Sequence, residues 1–182
     1  MHALTDKLKT IEFRRIIWII PIVTLLHELE EWNIIHWYQR FYSDLPEFTD
    51  LSIRTWLIFF SLCFFVWWGI SLMISKSPKI TAYLILPPTI LIFQNGIQHG
   101  FWTIYFGAYS PGVVFGFLFG VPACMYVIYR ALHEKLAQVW YVSILVLAII
   151  PGIIETYRVG NTQTAAIRGI SEFGIWLSSF LI

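Results

Sequence analysis

Three groups of polar residues interrupt an otherwise apolar chain: His27-Glu28-Leu29-Glu30-Glu31, Asn95 with His99, and Glu155. Residues three and four apart share a helix face, so His27, Glu30 and Glu31 point one way, as do Asn95 and His99. Glu28 lies about 100° round the helix from His27, which assigns it to a headgroup or a helix contact. Two imidazoles and two or three carboxylates are a good ligand set for Zn²⁺, Fe²⁺ or Mn²⁺. His27 and Glu30 would supply two metal ligands from one rigid helix, and His99 and Glu155 would complete the shell. Glu31 would then be spare, as general base for a water that the ion activates. Asn95 would orient a ligand or polarise a substrate carbonyl. With Glu172 the inventory equals that of a di-iron carboxylate bundle, but such bundles repeat Glu-x-x-His on two helices. One His-x-x-Glu and no second copy make a two-metal centre the weaker reading.

The elements that must position these groups are membrane helices. Of the 182 residues, 58% are hydrophobic and only 13% charged, with nine Trp and a mean hydropathy of +0.69. A soluble domain carries about 25% charged residues. The net charge of +1 gives no basic field to attract nucleic acid. Cys63 and Cys124 lie in apolar runs and suggest neither a disulfide scaffold nor a thiolate metal site. A span needs about 20 apolar residues. The pattern predicts one all-α integral membrane domain, a polytopic bundle of about six spans near 16–32, 55–74, 80–106, 113–129, 139–157 and 164–182. The first run starts basic but lacks a small-residue cleavage site, so it reads as a retained helix. With the N-terminus inside, eight Lys and Arg (Lys7, Lys9, Arg14, Arg15, Lys76, Lys79, Arg130, Lys135) face inward. Four (Arg40, Arg54, Arg158, Arg168) face outward, which favours both termini inside. Gly112, Gly116 and Gly120 form a small-residue packing stripe. Pro87-Pro88 and Pro151 predict kinks.

Depth brings the polar groups together. At 1.5 Å per residue, His27 lies ~17 Å from the inner end, Glu30, Glu31 and Asn95 ~22 Å, Glu155 ~24 Å and His99 ~28 Å. Each residue also has an ordinary explanation. Glu30 and Glu31 could be solvated at the outer interface, and His99 could bond a backbone carbonyl. Glu155 could pair with Arg158 or Arg168, and Arg168 with Glu172.

The elements His27-Glu28-Leu29-Glu30-Glu31, Asn95-Gly-Ile-Gln-His99 and Tyr109-Ser-Pro-Gly112, in this order, resemble the HXXEE domain family of small bacterial membrane proteins. The resemblance covers about two-thirds of the chain. It implies a bacterial cytoplasmic membrane and singles out His27, Glu30, Glu31, Asn95 and His99, but it implies no reaction.

The residues themselves point first to a membrane-embedded metal enzyme, with Zn ahead of Fe or Mn, opening toward the extracytoplasmic side. Hydrolysis of a lipid or isoprenoid-like substrate makes the smaller demand on one centre with a base. Tyr109, Arg158 and Arg168 at the outer rim would hold the substrate's polar or anionic head. The partners are then the bilayer, a lipid-like small molecule and, as an open alternative, further copies of the chain. A metal-free acid-catalysed isoprenoid cyclase or isomerase, and a proton- or ion-coupled transporter, are the competing functions.

Overall fold

A computed structural model describes residues 11–42, 49–157 and 165–180. Its helices are α1 (Phe13–Ile16), α2 (Ile19–Glu30), α3 (Ile34–Phe41), α4 (Asp50–Ile74) and α5 (Pro78–Phe106). A π-helical segment, Val113–Gly120, then runs into α6 (Val121–His133), followed by α7 (Val139–Ala148), α8 (Ile150–Tyr157) and α9 (Ala165–Ser178). No strand occurs among the described residues. Three helices are long and apolar enough to cross a membrane: α4, α5, and the π segment with α6. Their outward surfaces carry exposed residues such as Met73, Ile104 and Leu118.

Of the other predicted spans, the sixth is a single helix of 14 residues, α9, while the first and fifth are helical but divided. The first is broken by turns at Ile17-Trp18 and at Glu31–Asn33, and the fifth at Ile149, just before Pro151. Proline explains much of this, because it leaves the carbonyl four residues back without its helical donor. In an apolar medium that carbonyl needs another donor. Pro21 releases the Ile17 carbonyl, and the Trp68 indole N–H donates to it at 3.1 Å. Pro87 and Pro88 release the Tyr83 and Leu84 carbonyls, which accept from the Tyr141 hydroxyl at 2.8 Å and the Trp67 indole at 3.0 Å. α5 therefore continues through its two prolines, and α4 and α7 are tied to it there. Tyr141→Phe should lower stability by about 1–3 kcal/mol, the cost of an orphaned buried acceptor, and Trp68→Phe by less, since the Ile20 N–H still reaches the Ile17 carbonyl at 3.2 Å. Trp140→Phe, whose indole N–H bonds only Gln138, should leave the thermal midpoint in detergent unchanged.

Local signals set the helix ends. Thr49 and Ser52 cap α4 reciprocally, at 3.1 and 3.2 Å. Pro78 starts α5, and Gly107 ends it in the left-handed region at φ 59°. At the far end of α4, Arg14 donates to the Leu72 and Ser75 carbonyls, where the helix dipole favours a cation. Arg130, at the end of α6, donates to the Ile11 carbonyl at 2.9 Å.

The buried apolar residues fall into two clusters. One gathers Ile17, Ile20, Trp68, Ile85, Leu86 and Val127, and the other Ile34, Trp37, Ile53, Leu57 and Trp102. The chain passes from the first to the second along α2–α3 and along α5, and from the second to the first along α4. On both ascending runs the polar residues, His27 to Glu31 and Asn95 to His99, fall between the two clusters.

Candidate metal centre

His27 on α2, Glu31 at its end and His99 on α5 meet in this layer, with one ligand atom from each inside a mutual 4.8 Å. Glu31 Oε1 lies 2.8 Å from His99 Nε2 and 3.7 Å from His27 Nε2. The imidazole rings pack edge to face, centroids 4.9 Å apart. Both histidines are 1% exposed and Glu31 is 7% exposed. Four-coordinate zinc has ligand bonds of about 2.0–2.2 Å to nitrogen and oxygen. Small rotamer shifts would bring these three atoms to that radius around one point.

The outer side of the His27 ring fixes its proton. His27 Nδ1 faces the Gly112 carbonyl at 3.1 Å, and a carbonyl can only accept. The proton therefore sits on Nδ1, and Nε2 presents a lone pair toward the cluster. Among the described residues, buried Nε2 has no hydrogen-bond partner. His99 Nδ1 lies 3.1 Å from the Ser110 hydroxyl, and Thr103 Oγ1 accepts from the Ser110 N–H at 3.3 Å. Metal-ligating histidines are oriented in this way, through the nitrogen that does not bind.

Glycine makes this approach possible. Gly112 has φ 94°, and a Cβ there would stand 2.5 Å from His27 Cε1 and 2.9 Å from His99 Nδ1. A Cβ on Gly116 would lie 2.7 Å from His27 Nδ1. The expected packing stripe is thus also the wall against which the histidines rest.

Glu30 does other work. One of its carboxylate oxygens accepts the Val114 N–H at 3.0 Å and the Tyr109 hydroxyl, and the other accepts the Phe115 N–H at 2.8 Å. It caps the π segment, whose first N–H groups lack intrahelical acceptors. Partial burial and then the Glu30 carboxylate push the Tyr109 phenol up to about 12, so it stays a donor. Glu30, placed among the metal ligands by sequence, is not brought into the cluster. Glu31, assigned there as the base, is. Tyr109, assigned to substrate, reaches Glu30.

A cavity of about 250 Å³ adjoins the cluster through Glu31. Asn95, Glu28 and Tyr38 supply its other polar wall, and Ile53, Leu57, Phe60 and Leu91 are among its apolar lining. Of the two expectations for Glu28, a headgroup or a helix contact, its 7% exposure favours the second. α2 is covered on a second side by α4, so a residue turned from His27 meets Leu57 and the cavity rather than lipid. Glu28, Tyr38, Gly112, Gly116 and Ser110 are the site residues that sequence reasoning missed. The Tyr109-Ser-Pro-Gly112 turn was the available signal for Ser110 and Gly112, and the glycine stripe for Gly116. Glu155 and Arg168 lie on α8 and α9 with side chains outside the described residues, and Arg158 lies outside them altogether. Glu172 is exposed on α9, which packs on α4 through Gly174 and Phe173.

No curated protein and no solved structure matches the chain. A family model does match, over residues 18–127. That stretch holds both histidines, Glu31, the Glu30 cap and the turn that orients the rings. The chain therefore belongs to the family of proteins of unknown function with the HXXEE motif, written here by His27, Glu30 and Glu31.

Proposed function

We propose that this chain is an integral membrane enzyme in which His27, His99 and Glu31 hold one divalent metal ion beside a substrate cavity. The observation that carries this is the His27 ring. Its Nδ1 proton is committed to a backbone carbonyl, and its buried Nε2 lone pair faces a carboxylate with no donor between them. Two histidines and a carboxylate suit Zn²⁺, with Fe²⁺ or Mn²⁺ as alternatives. Such an ion would supply Lewis-acid activation of a water. The reaction is hydrolysis of a carbonyl-bearing, lipid-like substrate. Glu28, the second carboxylate on the cavity wall, takes the proton of the attacking water, and the Asn95 amide holds the carbonyl. Arg14, Arg130 and Lys76 mark the cytoplasmic end, and the centre lies toward the outer half of a bacterial cytoplasmic membrane. Six crossings with both termini inside remain our topology.

The test is elemental analysis of protein purified in detergent without a histidine tag. About one Zn, Fe or Mn per chain is expected, and its loss in His27→Ala/His99→Ala. Metal-free, folded wild-type protein overturns the proposal. That result would leave a second reading, acid catalysis, which Glu28 and Glu31 facing Tyr38, Trp56 and Phe60 across one cavity favour. Conduction has less support, because the Thr24, Ser71 and Thr89 hydroxyls donate to carbonyls of their own helices.

A further inference from the structure

A second space lies against the outside of the cavity wall. It is an apolar groove of about 270 Å³ between α2 and α4, bordered by Leu25, Leu29, Trp32, Ile58, Leu62 and Phe65. Most of these residues are exposed on the surface that the membrane reading turns to lipid. Glu28 and Leu57 line the groove and the cavity alike, so the two spaces adjoin at these side chains. Each alone falls short of an ordinary small-molecule site, about 300–1,000 Å³, and together they reach it.

The polar wall decides the head. Glu28, Glu31, Tyr38 and Asn95 face the cavity, and no Lys or Arg lines either space among the described residues. A phosphate or carboxylate head would meet two carboxylates and no cation. Glu28 is also more than nine-tenths buried, and it lines both spaces. A carboxylate on such a wall can accept a ligand hydroxyl. Its two oxygens allow one to accept that hydroxyl while the other faces water.

Resting on the proposed hydrolase reading, we infer that the substrate is an uncharged, hydroxyl-bearing, single-chain amphiphile. Its hydrocarbon chain lies in the α2–α4 groove and its head in the cavity beside Glu31.

The experiment is photolabelling of the full chain in phosphatidylcholine nanodiscs with a monoacylglycerol carrying a diazirine on its acyl chain. Labelled positions are read by peptide mass spectrometry. Labelling should concentrate on residues 25–32 and 57–65 and fall about fivefold or more with excess unlabelled monoacylglycerol. A lysophosphatidate with the same chain should not compete. Ser61→Phe, which fills the groove, should cut the labelling, while Ile104→Phe on the far lipid-facing surface should not. Should Ser61→Phe not fold, competition on the wild-type chain decides alone. Labelling spread evenly over the apolar surface, or equal competition by lysophosphatidate, overturns the inference. The readout needs neither metal nor turnover, so His27→Ala/His99→Ala should still label, and loss of the metal proposal would not be mistaken for loss of this one.

Discussion

Glu31→Gln should abolish turnover and weaken metal binding by about a hundredfold or more, while Glu30→Gln should keep the metal and lose stability. The two adjacent carboxylates have separate tasks. Glu31 stands 2.8 Å from His99 Nε2. A glutamine there loses the charge that would balance the cation, yet its amide can donate to the imidazole, so the fold survives. Loss of a mere outer-shell partner already costs about 10–100-fold in metal affinity, and Glu31 is placed closer than that. At Glu30 both oxygens accept backbone N–H groups. A glutamine has one acceptor oxygen and turns an NH₂ donor against a second N–H. Bonds to a charged group are worth about 1.5–3 kcal/mol, which sets the expected loss. Thermal unfolding in detergent and metal content, measured on both variants, check this pair. Full metal content in Glu31→Gln, or an unchanged midpoint in Glu30→Gln, would reject the division of labour.

That division could not be read from the sequence, for a geometric reason. Relative to His27, Glu30 sits about 60° to one side of the helix and Glu31 about 40° to the other. Both share its face, and only the partner elements choose between them. The π segment takes Glu30 and α5 takes Glu31. Glu28 was left open between a headgroup and a helix contact because a helical wheel shows one face, whereas α2 is covered on two. By contrast, α4 and α5 were legible as long apolar runs, although the Thr49 cap starts α4 at Asp50, before the expected Thr55. The meeting of His27 with His99 was legible only in outline, because counting residues sets them ~17 and ~28 Å deep, whereas their rings pack with centroids 4.9 Å apart. The broken first and fifth runs were less so. Hydropathy measures length in apolar residues, and it does not show that the carbonyl released by Pro21 is shared between the local Ile20 N–H and Trp68 of another helix.

Gly116→Ala should empty the metal site although it alters no ligand. Inside a helix this substitution ordinarily stabilises by about 0.5–1 kcal/mol, because glycine loses more freedom on folding. Here the new Cβ would stand 2.7 Å from His27 Nδ1, too close for any real contact, and the imidazole fills the space. The buried ring, 1% exposed, has nowhere to retreat except away from the Gly112 carbonyl. That frees the Nδ1 proton to move and turns Nε2 from Glu31, so metal content should fall by about tenfold or more, as when an orienting partner is lost. Gly112→Ala adds backbone strain at φ 94° and contacts with both histidines, and should be the more damaging of the two. Gly69→Ala is the control, because nothing lies within 4 Å of its added methyl. Elemental analysis of the three variants distinguishes two roles for the stripe. If it serves only helix packing, Gly116→Ala lowers the unfolding midpoint and the remaining folded protein keeps its metal. If Gly112 and Gly116 hold the histidines in register, the metal is lost from protein that is still folded, and that is the result the geometry requires.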